Sequence, residues 1–143
     1  MCGIAGIFNL DREDINHQSL YDMCRKIEHR GPDERGTYFR QNLSMGMQRL
    51  SIIDIDNGSQ PIHNKQKTVW TVFNGEIYNF KELRKKLVAK NYEFYTNTDT
   101  EVIVHLYEEY GEKFVTLLNG MFSIALWDND KETLFLYRDR MGE

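Results

Sequence analysis

The sequence predicts an α+β fold in which antiparallel sheets and helices are layered, and three observations carry that reading. Apolar residues recur at helical spacing in three separate stretches, and short β-branched and aromatic runs lie between them. The last two such runs, 121–128 and 133–139, are separated only by Asn129 to Glu132, as in a β-hairpin. Helices and hairpins mix without the strict strand–helix–strand alternation of a parallel sheet. At 143 residues and 41% hydrophobic, the chain has the length for one domain with a sizeable core.

Each element follows from its pattern. GIAGIF at 3–8, small and β-branched, reads as a buried strand. From Ser19 to His29 the apolar positions Leu20, Met23, Cys24 and Ile27 fall on one helical face, and Asp22 three residues after Ser19 suggests a capping box. On this reading Cys24 is core. HRGPDERG at 29–36 then breaks the helix, because Gly31, Pro32 and Gly36 cannot continue it cheaply. LSMGMQRLSII at 43–53 is strand-like and TVWTVF at 68–73 is a strong β run. In NGEIYNFKELRKKL, Asn79 can cap a helix with Glu82 at its third position and Phe80, Leu83 and Leu87 on one face. A third helix starts near Thr98 to Thr100, carries Val102, Ile103, Leu106, Tyr107 and Tyr110, and ends at Gly111.

Composition excludes several functions. The net charge is −4, from 18 basic and 22 acidic residues without a basic block, so nucleic acid is an unsuitable partner. No apolar run approaches a membrane span, and MCGIAGIFNLDRED has no basic leader region, which points to a cytoplasmic protein without membrane contact. Two cysteines, Cys2 and Cys24, make a poor disulfide framework. His17, His29, His63 and His105 lack metal-site spacing, so no metal is expected.

Cys2 is the residue that asks for chemistry. Methionine aminopeptidase removes Met1 when the next residue is small, and cysteine qualifies. Removal leaves one residue with a thiol and an α-amine whose reference pKa is about 7.7–8.0, a usable base at cellular pH tethered to its nucleophile. The alternative is a structural cysteine placed there by accident, and the dipeptide alone favours that alternative.

MCGIAGIF, HRGPDERG, RLSIID, QPI, FNGEIYN, TDTEVI, LNGMFSIALWD and YRDR, in this order, resemble the class II glutamine amidotransferase domain of glutamine-hydrolysing asparagine synthetases. That family belongs to the N-terminal nucleophile hydrolases, and the resemblance covers essentially the whole chain. Glucosamine-phosphate synthases and amidophosphoribosyltransferases share the Cys-Gly start, but HRGPD with RLSIID and NGEIYN looks like the asparagine synthetase branch.

The resemblance implies an αββα sandwich of antiparallel sheets, and Cys2 as nucleophile. It assigns the Asn74 side chain and the Gly75 N–H to an oxyanion hole. Asn-Gly would otherwise read as a hairpin turn, although a helix cap rather than a second strand follows it here. Arg49, in isolation an ordinary solvated arginine, would bind the glutamine α-carboxylate, with the backbone around Ile53 lining the site. Glu76 and Asp99 would contact the α-ammonium, although Asp99 could merely cap the third helix. His29, Arg30 and Asp33 are treated as structural.

The implied reaction hydrolyses the glutamine side-chain amide through a Cys2 thioester, without a cofactor in this domain. ATP and Mg would belong to a separate synthetase domain, the ammonia acceptor. The chain reads RDRMGE at its end and contains no SGG-type pyrophosphate loop, so the expectation is a domain over 1–143, truncated at its C-terminus and without the synthetase domain. A non-catalytic glutamine-binding module and an inactive truncated fragment remain alternatives, and homo-oligomerisation stays open.

Overall fold

The structure is a computed structural model, and it describes residues 2–50 and 58–142. Among the described residues, seven strands and three α-helices follow in the order β1 (Gly3–Phe8), α1 (His17–Lys26), β2 (Glu34–Phe39), β3 (Leu43–Arg49), β4 (Ile62–His63), β5 (Val69–Ile77), α2 (Phe80–Ala89), α3 (Glu101–Tyr110), β6 (Gly120–Asp128) and β7 (Thr133–Arg138). Short 3-10 segments occupy Glu28–Arg30 and Gly111–Leu117. All pairings are antiparallel, in a three-stranded sheet ordered β1-β3-β2 and a four-stranded sheet ordered β4-β5-β6-β7.

The period-2 alternation of the strands decides the layering. Val72, Ala125 and Trp127 from the four-stranded sheet meet Leu43, Met45 and Met47 from the three-stranded one, forming a core between the sheets. The alternate residues Phe73, Ile124 and Leu126 pack against Leu83 and Leu87 of α2 and Val102, Ile103 and Leu106 of α3. Helix α1 lies on the other face of the three-stranded sheet, against β1 and β3. The result is the αββα sandwich that the resemblance implied.

Local details depart from the sequence reading. Among the described strands β1 pairs only with β3, and it is an edge strand of mixed burial rather than a buried one. The cap of α1 is Asn16, whose side chain accepts from the Gln18 N–H at 2.9 Å, and not Ser19. Asp22 instead pairs along the helix with Gln18 and Arg25. α1 ends at Lys26, short of His29, and Met23 is partly exposed while Cys24 is fully buried.

Asn79 precedes α2 but caps nothing through its side chain. Its amide bridges to Leu117 O at 3.0 Å and Asn119 N at 3.0 Å, tying two loops together. Strand β5 continues through Asn74-Gly75-Glu76 to Ile77, so the expected break after residue 73 is absent. Strands β2 and β4 were not anticipated, since HRGPDERG runs into one and QPI into the other. The end of the strand expected over 43–53, and Ile53 itself, lie outside the described residues.

Candidate active site

Two sheets and one loop meet at a cavity of about 150 Å³. Cys2 reaches it from the start of β1, Arg49 from the end of β3, Asn74, Gly75 and Glu76 from β5, and Asp99 from the loop before α3. Six of the seven residues singled out in the sequence therefore share one pocket, and the seventh, Ile53, is outside the described residues. The volume suits a small polar solute in place of a few waters.

Among the described residues, backbone groups of Leu50 hold the sulfur of Cys2. The Leu50 N–H donates to Cys2 Sγ at 3.3 Å, and Leu50 O lies 3.7 Å from the same atom. Arg30, set aside as structural in the sequence reading, donates from Nε to the Cys2 carbonyl at 3.1 Å and so anchors the N-terminal residue. Nothing in the spacing of HRGPD signalled that contact, since it closes only when the 3-10 turn packs beside β1. Cys24, by contrast, is sealed beneath α1, and burial pushes its thiol up, away from reactive thiolate character.

Arg49 is only 5% exposed, and Glu34 of the neighbouring strand accepts from its Nη1 at 3.1 Å. The pair holds the guanidinium plane in place, which a flexible surface arginine would not achieve. It is thus not the solvated residue that the sequence in isolation suggested.

The ladder of β5 organises the donors. Phe122, opposite Gly75 in β6, donates its N–H to Asp139 Oδ2 at 3.1 Å and accepts at its carbonyl from Asp139 N at 2.9 Å. Both groups of Phe122 thus point away from β5, which makes Gly75–Phe122 a non-hydrogen-bonded pair and turns the Gly75 N–H to the cavity side. On that same side the N–H groups of Phe73 and Ile77 go to Gln60 Oε1 at 2.7 Å and Asp99 Oδ2 at 2.9 Å. Gly75 stands between them, at a φ of 154°, where a Cβ would fall 2.0 Å from Met121 O. Only glycine permits that closeness of β5 and β6.

Asp99 is nearly buried, and desolvation, with the nearby Glu76 charge, pushes its carboxyl above the usual range despite the backbone donors that pull the other way. It is not a simple helix cap, because it reaches across to β5. Among the described residues, no group of three or more histidine, cysteine or carboxylate side chains is arranged to hold a metal ion. No helix among them is long and apolar enough to cross a membrane.

Residues 1–143 match the family described as "Glutamine amidotransferase domain". The chain belongs to that family. This amidotransferase domain is 42% identical over 145 residues to asparagine synthetase (glutamine-hydrolyzing) 1 of Bacillus subtilis (strain 168), covering 99% of this chain and 23% of that protein. It is 44% identical over 143 residues to asparagine synthetase (glutamine-hydrolyzing) of Zea mays, covering 99% of this chain and 24% of that protein. The domain spans about a quarter of the length of these curated relatives. Among solved structures, glutamine phosphoribosylpyrophosphate amidotransferase from B. subtilis superposes with a TM-score of 0.77 at 18% identity, covering 95% of this chain and 37% of that one. That likeness places the amidotransferase domain in the same fold.

Proposed function

We propose that this domain hydrolyses the side-chain amide of L-glutamine to glutamate and ammonia, with Cys2 as nucleophile once Met1 is removed. The observation that carries the reading is the single cavity shared by Cys2, a guanidinium, two carboxylates and a strand-borne Asn-Gly pair. Arg49 receives the α-carboxylate of glutamine, and Glu76 and Asp99 receive the α-ammonium. A pocket with opposite charges at both ends selects an amino acid over a plain amide.

The thiol of Cys2 attacks the side-chain carbonyl carbon while its own α-amine takes the proton, directly or through water. Negative charge developing on oxygen is met by the Asn74 amide and the Gly75 N–H, two neutral donors held by a sheet. The C–N bond breaks, ammonia leaves with the proton held on the α-ammonium, and a γ-glutamyl thioester remains. Water, deprotonated by the same amine, cleaves the thioester to glutamate and restores the thiol. Ammonia then serves an asparagine synthetase type reaction in the cytoplasm, with ATP and Mg held by a separate synthetase domain.

The test is glutamate release from glutamine by protein lacking Met1, set beside the same chain carrying an uncleavable N-terminal extension. The extension converts the α-amine to an amide, which is no base. Activity should vanish with it and with Cys2→Ala, while glutamine binding by calorimetry persists in Cys2→Ala. Equal turnover with and without the extension would sink the N-terminal nucleophile reading. Binding without turnover in either form would instead favour a glutamine-binding module.

A further inference from the structure

The QPI stretch has no role in the reaction just described, yet it touches the strand that carries the oxyanion donors. β4 pairs with β5 through Ile62–Thr71 and His63–Trp70. Continuing that register by two residues places Gln60 opposite Phe73. There the strand pairing is completed by a side chain. Gln60 Oε1 accepts from the Phe73 N–H at 2.7 Å, and Gln60 Nε2 donates to the Phe73 carbonyl at 3.1 Å. A primary carboxamide presents the same donor and acceptor as a peptide unit, so it can close the ladder where the backbone of the partner strand turns away.

The same Nε2 lies 3.4 Å from Thr100 Oγ1, next to Asp99. Gln60 is buried and lines the cavity. Its backbone is held from the other sheet: a Cβ at Gly36 in β2 would lie 1.6 Å from Gln60 O, so glycine at that position lets β2 close directly onto residue 60. Two motifs left over from the sequence, HRGPDERG and QPI, thus converge on one amide.

We propose that Gln60 is a positioning residue for the glutaminase reaction, its amide acting as a surrogate strand residue that fixes Asn74 and Gly75 where the oxyanion forms. This rests on the glutaminase reading above. The amide ends the ladder at Phe73, one residue before Asn74, and leaves the cavity side of Gly75 open to substrate. Without it, Phe73 loses both partners on that side and the next two residues lose their reference point. Displaced oxyanion donors lower turnover far more than they lower ground-state binding, because their contact strengthens only as charge develops.

The experiment compares steady-state glutamine hydrolysis by the full chain, free of Met1, with Gln60→Met and Gln60→Glu. Gln60→Met, similar in length and apolar, should lower kcat by roughly 10–100-fold with KM changed less than about 3-fold. Gln60→Glu supplies a readout that a purely structural role would not move. Ionised, its carboxylate accepts from Phe73 N–H but opposes the Phe73 carbonyl; protonated, its O–H donates there and the full pattern returns. The ratio of variant to wild-type kcat should therefore rise as pH falls, in a cavity where, among the described residues, Cys2, Arg49, Glu76 and Asp99 are the charged or titratable groups common to both proteins. Cys24→Ala, a core change of comparable disruption away from the pocket, should keep kcat.

Unchanged kcat in Gln60→Met, or a ratio flat with pH in Gln60→Glu, overturns the proposal while leaving the glutaminase reading intact. If Gln60→Met does not fold, the low-pH form of Gln60→Glu, isosteric with wild type, decides. A wild-type chain that releases no glutamate overturns the glutaminase reading and this inference with it.

Discussion

Asp99 does two things with one carboxylate: it holds the Ile77 N–H of β5 and stands beside Glu76 at the cavity. Burial raises its pKa, with Glu76 adding to the effect, so ionised Asp99 is disfavoured in the empty folded state. The sign follows by linkage. Below the unfolded-state pKa the group is protonated in both states and contributes nothing; above the raised folded value its full destabilisation is present. Asp99→Asn should therefore stabilise the ligand-free domain more at pH 7 than at pH 4, relative to wild type, by thermal unfolding. It should also raise KM for glutamine roughly 10–100-fold, the loss expected for a charge-assisted contact to an ammonium. A variant relatively less stable at pH 7 than at pH 4 would contradict the assignment of strain to this carboxylate. Cys24→Ala belongs to the same scale, with an expected loss of about 1–2 kcal/mol by denaturant titration and no change in turnover.

At the scale of the element, α3 is more than the apolar helix its pattern suggests. One face packs Val102, Ile103 and Leu106 into the core, but Glu101 and His105 are buried too. Glu101 accepts from the N–H groups of Tyr95 at 2.8 Å and Thr96 at 2.6 Å, and His105 lies 3.4 Å from it, with Glu108 on the other ring nitrogen at 3.1 Å. Glu108 in turn accepts from Asn64 at 2.8 Å. This first turn of helix holds the loop that carries Asp99, and the rings of Tyr92 and Phe94 close over His105.

Burial would lower the His105 pKa, but its bonds to Glu101 and Glu108 outweigh that and raise it. A raised histidine stabilises fully below its unfolded pKa of about 6.5, and that stabilisation is lost as pH rises through the folded value. The wild-type unfolding midpoint should thus fall relative to His105→Gln as pH is raised from 6 towards 9. Each kcal/mol lost shifts it by about 2–8 °C for a domain of this size. Parallel midpoint profiles for the two proteins would show that folding does not raise the His105 pKa.

Over the whole molecule, the two sheets share a core but each keeps an open side. Among the described strands, β1 pairs only with β3 and β7 only with β6. Between these edges runs an apolar groove lined by Ile4, Phe8, Met45, Leu134 and Leu136, with Leu136 72% exposed. Open edges bearing apolar side chains promote strand pairing between molecules. Leu136→Lys should lower self-association, read by sedimentation velocity over a concentration series, while glutamine kinetics stay within about twofold, since Leu136 lies outside the cavity that holds Cys2. A wild-type protein that stays monomeric throughout the series would remove the edge as a contact surface.

Legible in the sequence alone were the fold class, the existence of three helices, though the first was read over 19–29 and not 17–26, the hairpin of β6 and β7, and, through the family resemblance, six members of the pocket. These are legible because local periodicity reports burial directly, and because ordered motifs carry a family resemblance that spacing alone does not. β2 and β4 were not legible. Gly36 read as a helix breaker and QPI carried only the family resemblance, and only the packing of Gly36 against Gln60 turns them into features of a sheet junction. The continuation of β5 through Asn74-Gly75 was hidden for the same reason, since its partner is β6, more than forty residues later in the chain. The contacts of Arg30 with the Cys2 carbonyl, Glu34 with Arg49, and Gln60 with Phe73 link residues from separate elements. Hydrogen bonds between distant segments leave no periodic trace in the chain. Tertiary structure alone decided them, because it alone sets which backbone groups each sheet leaves for side chains to complete.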